Sequence, residues 1–133
     1  MKKILLPVLV VFCASLYCGK GNAISEYKGL IKEMTSLTET LVSSMDKAKT
    51  GKEASDAIAA YTENMMKLKK KGEDLDKKYP EMKAKSEPPA ELREEMTKFN
   101  ELIQKMTASL LKLTQKFATD KDFQNAIQKL GRM

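Results

Sequence analysis

The chain has 133 residues, with 24 Lys and Arg against 18 Asp and Glu and a formal net charge of +6. Charged residues make up 32% and aromatic residues 6%, and there are six Gly, four Pro and no Trp. That balance argues against a β-sandwich and for an all-α protein. There is no His, and the two cysteines, Cys13 and Cys18, both lie near the N-terminus. Downstream of them, a disulfide framework, the usual zinc sites, a histidine base and a Cys–His nucleophile are excluded by composition.

The opening stretch, MKKILLPVLVVFCASLYCGKGN, places Lys2 and Lys3 before an uncharged run from Ile4 to Tyr17. A basic segment followed by a short apolar one is the pattern of a secretory signal. A membrane-spanning helix needs about 20 apolar residues, and Pro7 weakens a continuous helix further. A buried core helix would carry a polar face, and this run has none. The expectation is export. Cys18 follows the apolar run directly and precedes Gly19-Lys20-Gly21-Asn22, a polar stretch suited to a tether.

The segment resembles the leader of a bacterial lipoprotein, in the relaxed form found in spirochaetes. Ser15, Leu16 and Tyr17 occupy the box before Cys18, with Tyr17 where that family has a small residue. The resemblance implies lipidation of Cys18 with palmitate-type chains, and attachment to a membrane facing the periplasm or the outer surface. The alternative is ordinary cleavage after Ala23, where Gly21 and Ala23 supply the small residues of a peptidase site; that product is soluble and periplasmic. The expected organisation is a signal peptide at 1–17, a tether at 18–24 and a helical domain at 25–133. A chain cut before Cys18 carries a net charge of +4.

The first helix of the domain is expected to start at Ser25, an N-cap with Glu26 in the first turn, and to stop at Gly51. Its stripe is Tyr27, Leu30, Met34, Leu37 and Leu41, continued by Met45 and Ala48. Thr50-Gly51-Lys52-Glu53 fits a capping box for the second helix. That helix carries Ala54, Ile58, Tyr61, Met65, Leu68, Gly72, Leu75, Tyr79 and Met82 at steps of three and four, a helical seam. Pro80 ends or kinks it, and PEMKAKSEPP reads as a turn. The third helix opens at Pro89 and carries Leu92, Met96, Phe99, Ile103, Met106, Leu110, Leu113 and Phe117, widened by Leu102 and Leu111. Thr119 and Asp122 form a box-like start for a short last helix with Phe123, Ile127 and Leu130 on one face and Gly131 at its end. Three long helices of about 25 residues and one of about 12, joined by short turns, imply an antiparallel up-down bundle.

Eight lysines lie between Lys67 and Lys85, interleaved with Glu73, Asp74, Asp76 and Glu81. The run KLKKKGEDLDKK invites an anionic-surface or nucleic-acid reading. Interleaved acids and the lack of base-stacking aromatics favour a solvated face built from i,i+4 pairs, so no nucleic-acid partner is expected. Glu94-Glu95 and Glu73-Asp74-Asp76 read as surface carboxylates. No enzymatic activity, cofactor or metal follows from any motif.

MDKAKTGKEASDAI and PEMKAKSEPPAELREEM are similar to stretches of the small haem-binding four-helix cytochromes of the bacterial periplasm. Mature length, the short first connection and the proline-containing turn before the third helix also resemble that family, and Met34 lies near its methionine haem ligand. The resemblance implies a helical bundle and an exported compartment. The family's second ligand is a His in the last helix, and this chain has none, so no haem site is carried over and Met34 reads as core. Methionine thioethers bind Cu(I), but Met34, Met65, Met82, Met96 and Met106 fall on the seams, where Met fills irregular gaps.

The functional expectation is a non-enzymatic envelope lipoprotein that binds a protein partner or acts as a scaffold. Apolar residues flanking the seams, Val42, Met66 and Leu111, are the candidate partner contacts. The alternative is a soluble periplasmic carrier of a small apolar ligand or metal.

Overall fold

The computed structural model describes residues 5–84 and 87–132, with side chains from Gly21 onward. Among the described residues there is no strand, and five helices pack against one another. They are α1 (Leu5–Lys47), α2 (Gly51–Lys78), α3 (Pro80–Lys83), α4 (Ala90–Lys116) and α5 (Lys121–Leu130).

α1 is longer than the sequence pattern implies, because it runs straight through Ser25. Ser25 therefore does not cap the helix. Gly19 and Gly21 cost only about 1 kcal/mol each in a helix interior, and no proline follows Pro7 to force a break. The side chains up to Lys20, with Cys18 among them, lie outside the described residues.

The helix boundaries have local causes. At the C-terminus of α1 the Lys116 ammonium donates to the Ala48 carbonyl at 3.1 Å, a cation where the helix dipole is negative. Thr50 caps α2: its hydroxyl accepts from the Glu53 amide at 3.2 Å. Glu53 reaches back one residue further than expected and accepts from the Lys49 amide at 2.7 Å. Gly51 opens α2 and does not stop α1. α2 ends at Lys78 because Pro80 pushes Tyr79 out of the helical region, to φ −129° and ψ 66°. The connection read as a plain turn holds the single helical turn α3, with Pro80 in its first positions. Pro89 precedes α4 as expected. Asp120, not Thr119, caps α5, and its carboxylate accepts from the Phe123 amide at 3.0 Å. It adjoins the first helical residue, the position from which a short side chain reaches the N3 amide.

α1 supplies the main contacts to both α2 and α4, and α5 packs on α2. At one end Leu41, Met45 and Ala48 of α1 meet Ala54, Ile58 and Tyr61 of α2, Leu113 of α4, and Phe123 and Ala126 of α5 in one cluster. Phe123, Met45 and Ile58 are fully buried there. Toward the other end the cluster is smaller: Leu30, Leu68 and Leu75, flanked by Tyr27, Met34, Leu37, Met65 and Tyr79. Gly72 lies on this seam, where an added Cβ would reach Leu30 at an ordinary 3.4 Å.

Two buried polar residues register the helices. Thr38 donates to the Met34 carbonyl at 2.8 Å and shares a 3.2 Å hydrogen bond with the Tyr61 hydroxyl. Ser109 of α4 donates to Asp46 of α1 at 2.9 Å. The stripe of α4 is covered unevenly. Leu92 and Leu113 are buried, whereas Met96, Phe99, Leu102, Ile103, Met106 and Leu110 are half-buried. One neighbouring helix cannot hide so wide a stripe.

Two glycines give a direct test of this packing. A Cβ at Gly51 would collide with the Asp120 carboxylate that caps α5. Gly51→Ala is expected to lower the melting temperature by displacing that cap, with a loss of about 1–2 kcal/mol. Gly72→Ala is expected to be neutral or to stabilise by up to about 1 kcal/mol. Phe123→Ala, which empties the centre of the larger cluster, should cost about 3–5 kcal/mol in urea unfolding.

Candidate functional site

The two clusters leave an open cleft at the end of the molecule away from α5. It has a volume of about 310 Å³. Tyr27 and Ile31 enter it from α1, Asp76 from α2, and Met82 and Lys83 from α3. Glu87, Pro88 and Pro89 come from the connection, and Leu92 and Met96 from α4. A neighbouring depression of about 400 Å³ shares Glu87, Pro88 and Met96 and continues along α4 past Thr97 and Asn100. The lining is mainly apolar, and 310 Å³ lies at the lower end of the range for small-ligand pockets.

The cleft exists because Pro80 and Pro89 force the chain out of helix between α2 and α4. The short α3 then stands beside the seam and does not continue it. Leu92 is buried at the first turn of α4, so the entry of α4 is fixed.

Ion pairs fix the surroundings. Glu26 pairs with Lys78 at 2.7 Å and Glu33 with Lys71 at 2.6 Å across α1 and α2. These pairs are well exposed and add little stability individually. Tyr27 is different: its hydroxyl donates to Asp76 at 2.7 Å. Burial, then the Asp76 hydrogen bond and the charges of Asp76 and Glu81, push the phenol up to about 12.

Lys28 bridges α1 to Glu95 of α4 at 2.9 Å. The sequence reading placed both Glu94 and Glu95 in solvent. Glu94 is there, paired with Lys98 on its own helix, but the Glu95 side chain is only 11% exposed. Its Oε2 is buried without a hydrogen-bond partner. The hydrogen bond from Lys28, helped by the charge of Lys32, holds this carboxyl below the usual range. Glu95 faces α1 because it shares a helical face with Leu92 and Leu102, positions i−3 and i+7.

The expected contact residues separate. Met66 on α2 and Leu111 on α4 are 60% and 63% exposed, and neither joins a core cluster. Val42 is half-buried and packs against the larger cluster. It lies four residues after Thr38 and three before Met45, both fully buried, so the helical repeat turns it inward. Met34, Met65 and Met106 pack against the clusters, whereas Met82 and Met96 line the cleft. Among the described residues no group of three or more His, Cys, Asp or Glu is placed to hold a metal ion. No helix is long and apolar enough there to cross a membrane.

The cleft was not singled out by the sequence. Tyr27, Met82, Leu92 and Met96 all read as seam positions, and the proline-flanked Met82 was the one hint that the seam breaks before α4.

The raised Tyr27 phenol carries a pH signature. Because its folded pKa lies above the unfolded value of about 10, its contribution to stability is complete below pH 10. That contribution is lost as pH rises through about 12. Ultraviolet titration should show one tyrosine ionising near pH 12, and Tyr27→Phe should flatten the alkaline loss of stability. Ionisation of every tyrosine near the free value would contradict the Asp76 contact.

No protein-family model matches the chain, and neither a curated protein nor a solved structure matches it.

Proposed function

We propose that the chain is a non-enzymatic, exported helical-bundle lipoprotein, held on a bacterial membrane through acylated Cys18 and acting as a binding or scaffolding module for an envelope protein. The bundle is up-down. Support for this direction comes from the order of the paired side chains. Glu26, Glu33 and Thr38 of α1 meet Lys78, Lys71 and Tyr61 of α2 in descending order. Lys28 and Asp46 meet Glu95 and Ser109 of α4 in ascending order.

One observation carries the binding reading: the apolar stripe of α4 has too little cover. Phe99, Leu102 and Ile103 are half-buried and belong to neither core cluster, and Leu111, about two turns further along α4, is 63% exposed. Amphipathic faces of this kind recognise helices or grooves of other proteins through residues spaced by three and four. The opposite assignment, a soluble periplasmic carrier of a small apolar ligand, has its support in the 310 Å³ cleft.

Two measurements test the proposal. Palmitate labelling of the expressed chain should be abolished by Cys18→Ala; absence of label, with a mature chain beginning at Ile24, favours the soluble carrier. Cross-linking in intact envelopes should trap a defined protein species with the native chain. Leu111→Glu, placed on an exposed position that leaves the fold intact, should reduce that species about tenfold, as the loss of one interface anchor does. A species unaffected by charges placed at Leu111 and Phe99 would contradict recognition through α4.

A further inference from the structure

The cleft and the proposed lipid attachment lie at the same end of the molecule. Cys18 and Tyr27 are both on α1 and nine residues apart, a rise of about 14 Å along a helix. The larger core cluster begins at Leu41 and is closed by α5 at the far end. Anchoring at Cys18 would therefore turn the open end of the bundle toward the bilayer, with the closed end pointing away.

The lining suits what the bilayer offers. Ile31, Met82, Leu92 and Met96 provide an apolar wall, and unbranched Met side chains adapt to an irregular hydrocarbon. The polar groups are few and stand at particular places. Asp76 is occupied by the Tyr27 hydroxyl, Glu87 is paired with Arg93, and Lys83, exposed among the lining residues, supplies a cation that a phosphate can reach. An aqueous cleft with this lining would leave apolar surface wet, at a cost of about 25 cal/mol per Å².

We propose that this cleft holds an acyl chain of a phospholipid from the membrane that carries the protein, with Lys83 facing the headgroup phosphate. The inference rests on the anchored reading of Cys18. It gives the bundle a fixed orientation, cleft toward the lipid and the α5 end outward.

The chain contains no Trp, so single-Trp reporters are clean. The full-length lipidated protein is reconstituted in phosphatidylethanolamine–phosphatidylglycerol vesicles whose acyl chains carry bromine, a contact quencher. Met96→Trp and Met82→Trp place reporters in the cleft, and Met66→Trp places one on exposed α2, about 15 Å further along the helix than Asp76. Both cleft reporters are expected to be quenched several-fold more than the one at position 66, and Lys83→Glu should weaken that quenching. If the protein does not float with vesicles and Cys18→Ala changes nothing, the anchored reading fails and this inference falls with it. If it floats but both cleft reporters are quenched no more than position 66, anchoring stands and the lipid-filled cleft is overturned. Reporters shielded from water yet not quenched by bromine would mean a protein segment or a second copy fills the cleft, which also overturns it.

Discussion

Everything in this molecule depends on α1 serving two helices at once. With no cysteine after position 18 and no histidine, stability has to come from packing, and α1 is the surface on which the packing is done. Leu30, Leu41 and Met45 bury against α2, while Lys28, Asp46 and the Ala48 carbonyl engage α4. Both interfaces carry polar contacts: Glu26–Lys78, Glu33–Lys71, Tyr27–Asp76 and Thr38–Tyr61 span the first, and Lys28–Glu95, Asp46–Ser109 and the Lys116 bond to the Ala48 carbonyl span the second. They differ in that most apolar side chains along α4 are only half-buried. An isolated amphipathic helix of this kind has no stability of its own beyond marginal propensity, so loss of either interface weakens the other.

The closed and open ends follow from where the short elements fall. α5 adds Phe123 and Ala126 to the core at one end, and its own start is locked by Asp120 against Gly51. The other end has no such plug. There the short α3 and the prolines beside it separate α2 from α4, and a cleft remains. The Lys28–Glu95 pair sits near this open end. Its orphaned Oε2 is the kind of buried polar atom that costs more when left unpaired than a hydrogen bond returns.

Much of this was legible in the sequence. The three-and-four spacing from Ala54 to Leu75 and from Leu92 to Leu113 identified the seams, and Ala54, Ile58, Tyr61, Leu68 and Leu75 are all buried. Thr50 and Pro89 marked their helix starts for the reasons local chemistry supplies. The reading failed where position on a helix, not residue type, decides the outcome. Glu95 looked like its neighbour Glu94, yet one turns to solvent and the other to Lys28. Val42 looked peripheral but lies on the face shared by Thr38 and Met45. Ser25 had the chemistry of a cap, but a cap forms only where the chain before it leaves the helix, and here it does not. The cleft was illegible because it is a void between four helices and a connection, and no residue spacing reports a void.

The contrast between a tightly closed end and a loosely covered one can be read from amide hydrogen exchange of the purified chain, resolved by peptide. Slowest exchange is expected across Leu41–Met45 and Ala54–Tyr61, with α4 from Met96 to Ile103 exchanging markedly faster although it is equally helical. Uniform protection along all three long helices, or fastest exchange around Phe123, would contradict the account.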